Sequence, residues 1–264
     1  LGRPVEYVLL DDQSKPEVAR SLYEKLITVD KVDLIQGPYA TAPILAAMGV
    51  AQRYGKVMIQ SSMGIPKLQT YDRAFPATPF GPEPDKTYPN VILDAVATFP
   101  TPPKSMVVLT SKFPSAQFMA LGMKEQAEKR GVKVALYLEY ESTFLEPDEP
   151  FMSRPGMKRI AAEFKERATK ANLPYTTIDA QACGMVSEWQ ILEAGVNGAG
   201  SLDDEKIAAW LKKNTVETVY GKLRFDGPFN HGPAAQLIKQ VQNKEWKVVW
   251  PKEFAAPGVK LIGS

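Results

Sequence analysis

A single cysteine, Cys183, leaves this chain of 264 residues without an internal disulfide or a four-cysteine zinc site, and a single histidine, His231, leaves it without a multi-histidine metal site. No apolar run approaches the roughly 20 residues that a membrane-spanning helix needs, so a membrane-embedded chain is not expected. Net charge is also scarce. Lys and Arg total 32 against 30 Asp and Glu, giving +2, and the positive residues are scattered, so nucleic acid is not an expected partner. The signatures of common α/β enzymes are missing too. No Gly-x-Gly-x-x-Gly follows a strand, no phosphate-loop Gly-Lys-Ser/Thr occurs, and there is no Gly-x-Ser-x-Gly elbow. The expectation is therefore no catalytic residues, no metal, no cofactor, and no enzyme.

What is present is a repeated strand-then-helix pattern. Val5-Glu6-Tyr7-Val8-Leu9-Leu10 has strand composition and ends at Asp11-Asp12-Gln13. Ser14-Lys15-Pro16-Glu17 has capping-box spacing, with a proline in the first turn. The helix after it carries Val18, Leu22 and Leu26 at a spacing of four, with Ala19, Tyr23 and Ile27 beside them. A second strand at Leu34-Ile35 halts at Gly37-Pro38, and a helical pattern runs from there to about Tyr54. A third strand, Val57 to Gln60, ends in the polar break Ser61-Ser62-Met63-Gly64. Strands alternating with single helices mean parallel pairing with right-handed crossovers.

Later segments repeat the theme. A helix with Tyr88, Val91, Ile92, Ala95 and Val96 inward leads to the proline linker Thr101-Pro102-Pro103-Lys104. A strand at 106–109, a helix with Phe118, Leu121 and Met123, and a strand from Val132 to Tyr140 start a second lobe. The pattern then fails at Glu141-Ser142, and helical patterns return over Met157 to Ala171 and Ala180 to Val196. Tyr220 to Phe225 alternates like a strand, and Leu237 to Gln242 with Lys247 to Trp250 reads as a hairpin through Asn243-Lys244. Cys183 is expected as a small buried hydrophobe, Trp189 and Trp210 as core, and His231 in a surface turn.

The strand end at Gly37-Pro38-Tyr39-Ala40-Thr41 is the most informative stretch. A strand that turns directly into a helix places unpaired amides and the positive end of the helix dipole at the carboxyl edge of a sheet, where anions bind. Tyr39 offers an aromatic face, and the bland reading of Thr41 is that it only caps its own helix. Ser61, Ser62, Met63 and Gly64 sit at the end of the next strand, with the alternative that the serines bond their own backbone.

Several segments, in order over nearly the whole chain, resemble the type I periplasmic solute-binding proteins of ABC importers, specifically the leucine/isoleucine/valine-binding family. They are Leu1-Gly2-Arg3-Pro4-Val5-Glu6, Asp11-Asp12-Gln13-Ser14, Leu34-Ile35-Gln36-Gly37-Pro38-Tyr39, Gly221-Lys222-Leu223-Arg224-Phe225-Asp226 and Val248-Val249-Trp250-Pro251. The resemblance implies an α/β fold of two doubly wound lobes with parallel sheets, joined by hinge crossings and closing on a solute in the cleft between them. Expected domains are a first lobe at 1–101, an incomplete second lobe at 102–171, helices returning to the first lobe at 172–220, and second-lobe strands and tail at 221–264. Relatives carry a strand and helix ahead of Leu1-Gly2-Arg3 and further second-lobe units where Glu141 meets Ser142, so the sequence is expected to lack both.

The resemblance also implies a function: the extracytoplasmic, periplasmic component of an ABC importer, a monomer with its signal peptide removed. It would capture a small organic carboxylate, either an aromatic acid or a branched-chain or other amino acid, and deliver it to a permease in the inner membrane. By the same resemblance the ligand-binding residues are Tyr39, Ala40, Thr41, Ser61, Ser62, Met63, Gly64, Phe80, Phe113 and Ser115. Phe113 and Ser115-Ala116 stand where relatives often carry Tyr-Gly, so a less polar, wider cleft is expected, with weight shifted towards aromatic or other organic acids. A ligand-sensing domain of the same fold, or an α/β enzyme, is the alternative.

Overall fold

The computed structural model describes residues 2, 4–110, 114–138, 154, 156–174, 176–178, 180–243 and 245–262. The chain divides into two compact units: residues 1–82 with 184–233, and residues 83–183 with 234–264. It therefore passes from one unit to the other three times. Each is α/β.

The first unit is built on a parallel sheet of β1 (Ile35–Gln36), β2 (Met58–Gln60) and β3 (Ala74–Pro76), in that order. Ile35 pairs with Met58, and Ile59 with Phe75. Strands buried on both faces need apolar residues at successive positions, and Met58-Ile59 of β2 and Ala74-Phe75 of β3 supply them. Met58 and Ala74 face α1 (Pro16–Thr28) and α2 (Thr41–Arg53), packing with Tyr23, Ile44, Ala47 and Met48. Ile59 and Phe75 point the other way, into a core made with Ile191 and Leu192 of α6 (Ala180–Ala199) and Ile207 and Leu211 of α7 (Asp204–Leu211). The period of two along a strand thus produces the doubly wound arrangement. Asp204 fixes α7 to the sheet by accepting from the Val57 amide at 2.7 Å and from Lys56 Nζ at 3.1 Å.

In the second unit α3 (Pro84–Ala97) and α4 (Pro114–Lys129) cover one face of a parallel pair, β4 (Ser105–Leu109) and β5 (Lys133–Leu138). Leu93, Val108, Ala120, Met123 and Ala127 form its core. The opposite side of β4 is bare, with Val107 and Leu109 exposed. This unit also holds α5 (Met157–Lys170) and the antiparallel hairpin of β8 (Ile238–Gln242) and β9 (Glu245–Trp250), turned at Asn243 with φ 54°.

Several expectations change. Residues 5–10 pair with nothing among the described residues: Val5, Tyr7, Val8 and Leu9 are exposed, and Tyr7 alone docks, its ring edge-on to Trp189 at 5.1 Å. Strand composition cannot substitute for a neighbouring ladder. The capping box does not form. Asp11 and Asp12 accept the amides of Gln13 and Ser14 instead, and Lys15 becomes the N-cap without a side-chain capping bond. On α1 the buried residues are Ala19 and Tyr23, one step round from Val18 and Leu22.

Residues 83–101 belong with the second unit because α3 lays Ile92 and Leu93 against α4 and β4. Residues 172–183 also lie there. Residues 221–233 belong with the first unit, because β7 (Gly221–Leu223) pairs with β6 (Val216–Thr218) and buries Leu223 and Phe225 in the α6/α7 core. His231 is buried rather than in a surface turn; burial lowers its pKa to about 4, so the ring is neutral at pH 7. Cys183 is buried as expected. The break at Glu141-Ser142 lies outside the described residues.

Candidate functional site

The carboxyl ends of β1 and β2 run into two loops that are bonded to each other. Ser62 Oγ accepts the Ala40 amide at 2.8 Å, and Thr41 Oγ1 accepts the Gly64 amide at 3.2 Å. The first sequence-predicted half-site, residues 39–41, is therefore joined to the second, residues 62–64. Neither bland reading of the hydroxyls holds: Thr41 is the first residue of α2 and makes no cap, and Ser62 bonds a residue 22 positions away.

The consequence lies in the protons. A hydroxyl has one donor and two acceptor lone pairs. Here a backbone amide engages a lone pair on each hydroxyl, so each O–H remains able to donate. The amides of Thr41 and Ala42, in the first turn of α2, have no acceptor among the described residues, and Pro43 has no N–H to satisfy. No acidic residue stands in that turn, so the positive end of the helix dipole is not neutralised locally.

Ala40 holds φ 72° and ψ 152°, a region that a side chain with a Cβ rarely adopts. Its carbonyl accepts from Ile44 while its amide reaches Ser62, so the residue is pulled from both sides. Ala40→Gly is expected to raise unfolding stability by about 1 kcal/mol, the relieved strain exceeding the entropy lost on fixing glycine. Urea unfolding of the variant checks this; a loss of stability would show that the conformation is not strained.

The other predicted residues are placed differently. Met63 is buried in the core with α2 and donates its amide to Gln60 Oε1 at 2.9 Å, so its side chain serves packing. Ser61 is turned away from its neighbour: it is buried, its carbonyl accepts from Thr78 Oγ1 at 3.0 Å, and its side chain packs towards Gly184 on α6. Tyr39 is exposed, and Phe80 is half-buried beyond β3, donating its amide to the Thr78 carbonyl. Ser115 is half-buried in the first turn of α4, in the second unit. Phe113 lies outside the described residues.

Sequence reasoning missed the residues that support the rim. Gln60 Nε2 donates to Gln69 Oε1 at 2.9 Å, and Gln69 in turn donates to the Ala74 and Phe229 carbonyls at 2.8 and 2.6 Å. This buried chain of amides holds the Ser61–Gly64 turn from below. Ser187 Oγ donates to the Ala77 carbonyl at 2.7 Å, fixing α6 beside the same strand ends. On α6 next to Ser187 is Glu188, fully buried, with burial pushing its carboxyl up to about 8 and Ser61 drawing it down. A glutamine ending a buried strand was the only hint available for Gln60; Glu188 lies in an otherwise apolar helix pattern.

Among the described residues, no helix is long and apolar enough to cross a membrane. A family model described as periplasmic binding protein matches residues 1–143. No curated protein matches the chain. Solved structures of similar fold include an ABC transporter substrate-binding protein from Desulfitobacterium hafniense in complex with Leu, at 12% identity and TM-score 0.70 over 94% of this chain and 89% of that one. A solute binding protein of an ABC transporter from R. palustris in complex with benzoate has 18% identity and TM-score 0.65 over 94% and 85%. A leucine binding protein from Thermotoga maritima has 15% identity and TM-score 0.67 over 97% and 89%. At such identities the likeness establishes the fold.

Proposed function

Because the chain belongs to the periplasmic binding protein family, we propose that it is the extracytoplasmic solute-binding component of an ABC importer and captures a small organic carboxylate on the Ala40–Thr41 and Ser62–Gly64 rim. Delivery to an inner-membrane permease, residence in the periplasm, lobe closure and the absence of catalysis are parts of the same proposal. The observation that supports it is the state of the two hydroxyls: with lone pairs on Thr41 and Ser62 engaged by backbone amides, both O–H groups can be donated to an anion that the α2 terminus attracts. The ligand class is proposed as an aromatic acid or a branched-chain or other amino acid, in keeping with the leucine and benzoate carried by proteins of this fold.

Titration calorimetry with leucine and with benzoate tests the proposal. Binding of one of the two is expected, and Thr41→Ala is expected to weaken it by roughly 10- to 150-fold, corresponding to a charge-assisted hydrogen bond of about 1.5–3 kcal/mol. Thr41→Ser, which keeps the hydroxyl, should recover most of the loss. An intact Thr41→Ala protein that binds as tightly as the parent would rule out this rim as the anchor.

A further inference from the structure

Glu188 lies in the middle of α6 with its side chain withdrawn from solvent, and the Ser61 hydroxyl and amide approach its carboxyl without either reaching full hydrogen-bond geometry among the described residues. No cation pairs with it among the described residues. An ionised carboxylate in such surroundings is strongly disfavoured, so the group keeps its proton. Its position is set by close packing: at Gly184, one turn earlier on α6, an added Cβ would stand 3.0 Å from Ser61 Cβ and 3.2 Å from Ser61 Oγ. Only this absence of a side chain lets the helix approach the strand end so nearly. The hydroxyl and amide of Ser61 then act directly on the Glu188 carboxyl.

The groups around it are few. From α1, Tyr23 feels the charge of Glu188 and, more weakly, that of Asp12; burial and these two carboxyls hold its phenol well above its usual range, so it stays neutral. Tyr23 donates to the Gln36 carbonyl, and the side-chain nitrogen of Gln36 has no partner among the described residues. Ser61 and Ser62 are consecutive, one side chain turned towards Glu188 and the other towards the Ala40 amide. A single residue therefore separates a buried acid from the rim.

We propose that Glu188 is the proton-holding group behind this anion site: as a neutral acid it leaves the rim free of negative charge, and on ionising it repels the bound carboxylate. The inference rests on the reading that the rim holds a carboxylate. Two negative charges on either side of the Ser61–Ser62 turn, one of them buried, cannot both be accommodated without loss. Binding of an anion therefore raises the Glu188 pKa further, and the protein takes up a proton from solvent at pH values between the free and bound pKa. The sign follows: affinity is constant below the free-state value of about 8 and falls above it. With an effective dielectric of about 20, a separation of about 12 Å or less between the two charges makes the total loss on the order of tenfold or more.

The test is calorimetry with leucine and benzoate from pH 6 to 9.5, in buffers of differing ionisation enthalpy, on the parent protein and on Glu188→Gln. The expected result is proton uptake and roughly tenfold weaker binding at the alkaline end for the parent, with a flat profile for Glu188→Gln. An alkaline loss that persists in Glu188→Gln, or binding by the parent with no proton uptake above pH 8, overturns the proposal; the second readout needs no variant. If neither probe binds at pH 6, the carboxylate reading itself fails. Ligand-free urea unfolding separates the two failures. The parent should lose stability relative to Glu188→Gln as pH rises from about 4.5 to about 8, and superimposed curves would show that Glu188 is not held as a neutral acid.

Discussion

Phe75→Ala is expected to lower unfolding stability by about 3–5 kcal/mol, with an unchanged denaturant slope. Phe75 is completely buried on β3, and its ring meets Phe225 edge-on, with centroids 5.4 Å apart and an interplanar angle of 84°. Around it stand Ile59, Ile191, Ile207, Leu211 and Val216, contributed by β2, α6, α7 and β6. Truncation removes the transfer energy of a phenyl group and leaves a cavity whose walls are tied to four other elements, so collapse into it is restricted. The edge-on pair adds its own share. Chemical denaturation followed by tryptophan fluorescence measures the loss, Trp189 and Trp210 both packing against this core. A change below 1 kcal/mol would mean that the α6/α7 face is not assembled as described.

Gly122→Ala is expected to cost about 3 kcal/mol in the second unit. A Cβ at residue 122 would stand 2.1 Å from the Asp85 carbonyl oxygen and 2.8 Å from its carbonyl carbon and Cα. All three are backbone atoms, so no rotamer change relieves the clash. Helices α3 and α4 would have to separate, loosening Leu93, Ala120 and Met123, and the first turn of α4, with Ser115, would shift. Gly49→Ala on the exposed side of α2 is the matched control, because nothing lies within 4 Å of its added Cβ. There the better helix propensity of alanine should raise stability by up to about 1 kcal/mol. Equal and small effects at the two glycines would contradict the close crossing of α3 and α4.

The fold was readable where pattern and neighbour agree. Met58 and Ile59, alternating along a short buried strand, announce a sheet covered on both faces, and the Gly37-Pro38 halt before Ile44 marks the strand-to-helix turn. Val5 to Leu10 carries an equally good strand pattern and forms none, because a ladder is a property of two segments. The rim was legible in part. Thr41 and Ser62 could be named from the family resemblance and their place at strand ends, yet which way each serine turns depends on α6, more than a hundred residues later. Met63 looked like a loop residue and is a core residue, since the turn after β2 folds back over α2. Glu188 was invisible for the same reason: its significance comes from the glycine beside Ser61, not from its neighbours in sequence.

Neither compact unit is a continuous piece of chain, and that shapes how the protein can be made. The sheet of β1, β2 and β3 is complete by residue 76, but one of its faces stays bare until α6, α7, β6 and β7 arrive from residues 184–233. At a synthesis rate of 5–20 residues per second, the nascent strands wait roughly 8–30 s for their complete cover. During that interval Ile59 and Phe75 are exposed to solvent, to chaperones and to other unfinished copies. A fragment ending at residue 82 should accordingly accumulate in aggregates, and binding competence should appear only after the last return crossing has been synthesised.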